Sequence, residues 1–322
     1  MFLLLALLLF SNVALAQTPA ATPPSHDAQP DAQKTTTTAV GSAVKKDEQP
    51  RRYETVRFES KLVGAALPYN VLLPADYKRA ASKAKRYPVI YLLHGLGGSA
   101  NDWVSARARL AEHAASYPFI VIIPEGRDSW YTDGAVPNEK FETYLIEELI
   151  PDVERRFRAI ASREGRGVAG LSMGGYGALK FGLKHPETFA FAASMSGALR
   201  AASWLPDESL PKFVKPSIER VYGGADTPVR RDNDIFRLAR ELKPERVASL
   251  PYFYLDCGTE DFLISNSRDF SALLIEKKIP HEYRELPGTH SWPYWDRQVQ
   301  EVLKIAAQKL APAREAKAAG LR

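Results

Sequence analysis

From Tyr53 onward, short runs that are almost entirely apolar alternate with stretches of helical periodicity, and few architectures accept that pattern. Strands apolar on both sides must be covered on both faces, and a helix between consecutive strands lets them lie parallel. The runs are residues 88–93, 119–123, 168–169, 190–195, 252–256 and 282–286. They follow a pair, 53–62 and 69–73, that suits antiparallel pairing. Between them, 102–115 reads as one helix. Phe141, Leu145, Leu149, Val153 and Phe157 recur every four residues along another, which Pro151 is expected to kink or restart. Helices over 234–242, 267–278 and 294–310 complete the set. The expected fold class is therefore α/β, with a mostly parallel central sheet and helices on both faces. Residues 199–230, rich in Pro and without clear periodicity, read either as an excursion over a functional site or as a structural loop.

Set into this pattern, Gly170-Leu171-Ser172-Met173-Gly174 follows the apolar residues 167–169 and precedes a helical stretch that stops near His185-Pro186. G-x-S-x-G is the sharp strand-to-helix turn that presents a nucleophilic serine, and glycine on either side admits the close packing such a turn needs. A serine alone is a weak nucleophile. It needs a base within hydrogen-bond reach, oriented by a third group, and in this arrangement the partners follow in the order acid, then histidine. Of the six histidines, His26 lies in the N-terminal segment, while His94, His113 and His185 come too early or flank the elbow helix. His281 enters the last predicted strand. His290, in the loop Gly288-Thr289-His290-Ser291-Trp292 after that strand, is the expected base. Asp256, Glu260 and Asp261 compete as the acid. Asp256 reads as strand, and Asp261 lies past the Gly258 turn, so Asp261 is preferred with the other two as alternatives. Acyl transfer also needs donors for the oxygen that turns negative. The amide of Met173 and that of Leu96, in His94-Gly95-Leu96-Gly97-Gly98, are the candidates.

The 322 residues, 45% of them hydrophobic, are enough for one large catalytic domain, expected over 53–311. Residues 1–16 read as a secretory signal peptide, an apolar start without a positive n-region but with Ala14-Leu15-Ala16 as the cleavage site. Export to the periplasm or medium follows as an expectation, with no stable membrane span after cleavage. Residues 17–52 are rich in Pro, Thr and Ala and read as a disordered linker. With Cys257 as the only cysteine, no intramolecular disulfide can form. The net charge is +5, but from Lys304 onward five basic residues face one Glu, leaving about +1 before them, so the basic balance belongs to the end of the chain, where a basic tail is placed at 312–322. A nucleic-acid partner is not expected. No His/Cys/Asp cluster has ligand spacing, so neither metal nor cofactor is expected.

Five ordered blocks go further: Tyr91–Gly98 (YLLHGLGG), Pro124–Gly134 (PEGRDSWYTDG), Gly170–Leu179 (GLSMGGYGAL), Cys257–Ile264 (CGTEDFLI) and Gly288–Trp295 (GTHSWPYW). With them the chain resembles the esterase branch of the α/β-hydrolases, which includes S-formylglutathione hydrolases, short-chain carboxylesterases, feruloyl and acetylxylan esterases, and mycobacterial mycolyltransferases. The resemblance implies Ser172 as nucleophile, Asp261 as acid, His290 as base, and Leu96 and Met173 as oxyanion donors. It also implies that Trp130, Tyr131 and Asp133 border the substrate pocket; Trp292 is a further pocket candidate. The implied activity is serine-dependent hydrolysis of a small-molecule or carbohydrate ester, acetyl or feruloyl. Transfer to a sugar acceptor, S-formylglutathione hydrolysis and non-catalytic glycan binding stand as alternatives.

Overall fold

The structure, a computed structural model, describes residues 53–315 apart from 206, 208 and 209. The signal segment 1–16, the linker 17–52 and residues 316–322 of the expected tail lie outside the described residues.

Eight strands make one sheet: β1 Glu54–Val56, β2 Tyr69–Leu72, β3 Val89–Leu93, β4 Ile120–Pro124, β5 Arg166–Leu171, β6 Phe191–Met195, β7 Tyr252–Gly258 and β8 His281–Leu286. Their order is β1-β2-β4-β3-β5-β6-β7-β8. The β1–β2 and β2–β4 pairs run antiparallel and the remaining pairs parallel, as the alternation of runs predicts. Side chains alternate across the sheet with a period of two. Val89, Tyr91 and Leu93 of β3 enter one core while Ile90 and Leu92 enter the other, and β4 divides in the same way.

The helices are α1 Leu110–Ala114, α2 Phe141–Thr143, α3 Ile150–Arg156, α4 Met173–Lys184, α5 Lys215–Tyr222, α6 Pro228–Asn233, α7 Ile235–Glu241, α8 Ile264–Glu276 and α9 Trp292–Lys309. Helices α3, α4, α7 and α8 pack on one face of the sheet, and α1 and α9 on the other. Asp296 of α9 accepts from Arg109 and from His113, which fastens α1 to it.

As expected of Pro151, its helix restarts there as α3, with the proline in the first turn. A π-helical turn at Tyr144–Leu149, with Ile150 N–H on the Leu145 carbonyl, lets the chain pass the proline's missing donor. Three local expectations differ from what forms. The helix expected over 102–115 is reduced to α1, because Ser105 N–H and Ala108 N–H close three-residue turns on the Asp102 and Ser105 carbonyls and Arg109, at φ 40°, takes the left-handed backbone that a helix interior does not accept. The strand expected over 53–62 splits into β1 and Glu59–Ser60, which pairs with Ala65–Ala66. The domain end at 311 falls short, since Arg314–Glu315 pairs with Lys85–Arg86 and Ala311 N–H donates to the Glu164 carbonyl.

Candidate active site

The elbow joins β5 to α4 at Ser172, whose φ of 53° and ψ of −114° lie in a region that costs a residue with a side chain roughly 1–3 kcal/mol. The geometry is held from both sides: Ser172 N–H donates to the Met195 carbonyl of β6 and its own carbonyl accepts from Ala198 N–H. The flanking glycines are sterically required. A Cβ on Gly170 would sit 2.4 Å from Gly174 backbone, and one on Gly174 would sit 2.6 Å from the Leu93 carbonyl oxygen.

His290 reaches this serine from the loop between β8 and α9. Its Nε2 lies 3.0 Å from Ser172 Oγ, and its Nδ1 lies 2.9 and 3.1 Å from the two carboxylate oxygens of Asp261. A carboxylate only accepts, so the ring proton sits on Nδ1 and Nε2 is left to accept from the serine hydroxyl. Asp261 is 2% exposed. Burial alone would raise its carboxyl, but the bonds from His290 and from Leu263 N–H outweigh burial and hold it below the usual value. Of the alternative acids, Asp256 stays in β7 and accepts from Tyr294 Oη, while Glu260 accepts from Gly288 N–H. Neither bonds His290. His281 lies at the start of β8 on the Ser271 hydroxyl and the Ile279 carbonyl.

Met173 is the first residue of α4, so its amide has no acceptor within the helix. Leu96 follows β3 in the loop that crosses the elbow, where Gly95 closes on Leu171 and Ser172. That loop is fixed from beneath. His94 is fully buried, donates from Nδ1 to the Gly95 carbonyl and accepts Gly126 N–H at Nε2, a pattern that the neutral Nδ1–H ring satisfies.

A cleft of about 450 Å³ opens over Ser172. Trp130 and Trp292 line it, as expected, and so does Leu96. Tyr131 and Asp133 do not. Tyr131 is turned into the core with its hydroxyl donating to the His94 carbonyl, and Asp133 receives the amides of Glu142 and Thr143 at the start of α2. Their expected pocket role is thereby corrected to a structural one. Sequence reasoning missed other walls. Trp204, Phe213 and Val214 come from the 199–230 excursion, which does cover the site. Phe262 and Trp295 flank the His290 ring at centroid distances of 4.7 and 4.9 Å. Both sit beside Asp261 and His290 in the blocks that carry the resemblance, a signal available in the sequence. Asp102 and Arg107 supply the charged lining. Trp130 belongs to the core on the α4 face and Trp292 packs on the core of the α9 face, so the cleft straddles the end of the sheet.

A hydroxyl aimed at an unprotonated imidazole nitrogen, with a carboxylate behind it and free amides alongside, can attack a carbonyl carbon and shelter the resulting oxyanion. The family model described as "Putative esterase" matches residues 60–304. An acetyl esterase of Caldicellulosiruptor saccharolyticus is 31% identical over 251 residues, covering 76% of this chain and 94% of that protein. An esterase of Mycobacterium tuberculosis is 33% identical over 266 residues, and this chain spans 57% of its length. Among solved structures, a ferulic acid esterase superposes with a TM-score of 0.68 at 26% identity, over 80% of this chain and 98% of that one. With the family match running through every element that builds the cleft, this chain belongs to that esterase family of α/β-hydrolases and is an ester hydrolase.

Proposed function

We propose that the chain is a serine carboxylesterase that works through an acyl-enzyme on Ser172. The observation that carries this reading is the 3.0 Å contact between Ser172 Oγ and His290 Nε2, with Asp261 on the opposite ring nitrogen. In the proposed cycle Ser172 Oγ attacks the ester carbonyl as its proton passes to His290 Nε2. The carbonyl oxygen turns negative against the Met173 and Leu96 amides, with the N-terminal end of α4 adding to the positive field. The alcohol leaves with the proton from His290. A water molecule then attacks the acyl carbon, gives its proton to His290, and the acid departs as Ser172 regains its hydrogen.

The cleft supports short acyl groups and an aromatic acyl group alike, because Trp130, Trp204 and Phe213 form an apolar wall while Asp102 and Arg107 add charge suited to a sugar alcohol. Relatives named for acetyl and for ferulic acid span that same range. Acetyl or feruloyl esters on carbohydrate are the substrates proposed. The apolar start and Ala14-Leu15-Ala16 support export, hence action on polymer fragments outside the cytoplasm.

A panel of acetyl, butyryl, feruloyl and longer-chain esters, with sugar-linked acetyl and feruloyl forms, tests the reading. The highest kcat/KM is expected for an acetyl or feruloyl ester, with free acid as product even when a sugar acceptor is added. Turnover no faster than that of the Ser172→Ala variant across the whole panel would overturn it.

A further inference from the structure

Trp130 and Tyr131 follow one another with φ of 55° and 51°. The left-handed region costs each such residue about 1–2 kcal/mol, and two in succession persist only where the surroundings over-determine them. Ser129 holds this turn from before, through Tyr131 N–H on its hydroxyl, and a buried ammonium holds it from the helix side. Lys180 lies on α4 and is fully buried. Its Nζ donates to the Tyr131 carbonyl at 2.6 Å and to Thr132 Oγ1 at 2.8 Å, and Thr132 Oγ1 donates in turn to the Trp130 carbonyl at 3.0 Å. The carbonyls of both left-handed residues are therefore tied, directly or through one hydroxyl, to the helix that begins just after Ser172.

The same helix receives the Tyr131 ring. A Cβ on Gly177 would stand 2.8 Å from that ring, so the helix leaves a notch where the ring lies. Trp130, turned the opposite way, presents its indole to the cleft. Its Nε1 donates to Ser217 Oγ, and the ring meets Trp204 and Tyr176 edge-on at 5.9 and 6.1 Å. Lys180 keeps its charge inside the core because Glu142 stands 2.8 Å away, a carboxylate also shared with Lys184 and His185. Burial pulls the Lys180 ammonium down to about 8, with Glu142 opposing the fall.

We propose that Lys180, paired with Glu142, is a positioning residue that sets the Trp130 wall of the cleft and through it the size of acyl group admitted to Ser172. The inference rests on Ser172 being the nucleophile. Lys180 does not touch the reacting atoms, so its signature is selectivity rather than rate. Two changes test it. Lys180→Met combined with Glu142→Gln removes the ammonium without stranding the carboxylate. Thr132→Val, nearly isosteric, removes the hydroxyl that relays Lys180 to the Trp130 carbonyl while leaving the Lys180 bond to the Tyr131 carbonyl, and guards against a double variant that does not fold.

For each variant, kcat on p-nitrophenyl acetate and the rate of fluorophosphonate labelling are expected within about threefold of the parent. KM for the largest acyl group the parent accepts is expected to rise about tenfold, as befits the removal of one aromatic pair. Equal losses on small and large esters, or an unmoved ratio in Thr132→Val, would overturn the inference. Parent protein that does not label at Ser172 would overturn the esterase reading and this inference with it, whereas normal labelling with unmoved selectivity overturns this inference alone.

Discussion

Asp256 stands two residues before the end of β7, fully buried, with Oδ1 accepting from Tyr294 Oη at 3.0 Å and Oδ2 unpartnered. Burial, reinforced by the negative charge of Asp261, lifts its carboxyl to about 7 against the opposing hydroxyl. In the unfolded chain the same group titrates near 3.8. Between those values the folded protein holds a proton that the unfolded chain has lost, so this group's contribution to stability falls as pH rises from about 4 to 7. The full span corresponds to roughly 4 kcal/mol as an upper figure. Asp256→Asn keeps an acceptor for Tyr294 and removes the titration. The urea midpoint of the parent should therefore drop relative to that of the variant between pH 5 and pH 8, and parallel curves would refute the assignment. The sequence offered Asp256, Glu260 and Asp261 as three carboxylates within six residues. Strand membership separated the first, because a side chain fixed to one face of the sheet cannot swing to a loop. The second was separated only by the folded loop, since its bond to Gly288 N–H has no sequence signal.

At the scale of elements, the β5–α4 junction concentrates the steric demands of the fold. Gly174 lies beneath the Leu93 and His94 carbonyls, so any side chain there pushes α4 away from β3 and from the loop that carries Leu96. Gly174→Ala should destabilise the protein by about 3 kcal/mol or more, the cost of overpacking against backbone that cannot yield. A urea midpoint unchanged from the parent would contradict this account of the elbow. Elements of this kind were legible in the sequence: the strand-turn-helix around Ser172, the parallel strands and the amphipathic α9 all announce themselves through period and glycine placement. The segment 102–115 was not. Its periodicity is helical, but its amides close three-residue turns and Arg109 turns left-handed, and a backbone choice of that kind leaves no trace in a pattern of apolar positions.

For the molecule as a whole, the excursion over the sheet end depends on Arg230, a guanidinium only 4% exposed. It donates to the carbonyls of Ala202, Trp204, Gly223 and Gly224, drawing both ends of the excursion together and holding Trp204 over the cleft. Arg230→Met should orphan those carbonyls, lowering stability by about 3 kcal/mol and raising KM for aromatic esters more than for acetyl esters. Equal KM values for parent and variant on an aromatic ester would show that the excursion does not shape binding. The sequence marked 199–230 as irregular without deciding its role, because irregular segments are organised by carbonyl-to-arginine bonds rather than by periodicity. Likewise Tyr131 and Asp133 were placed at the pocket by the resemblance of their block, whereas the bonds that draw them away, to the His94 carbonyl and from the Glu142 and Thr143 amides, leave no sequence signal.

The proposed function rests on Ser172 and His290 acting as a unit. Reaction with a fluorophosphonate, followed by intact mass and peptide mapping, measures that unit directly. One adduct per chain is expected, located on Ser172, absent in Ser172→Ala and slowed by at least about 10³-fold in His290→Ala. An adduct on another residue, or His290→Ala labelling at the parent rate, would contradict the central claim.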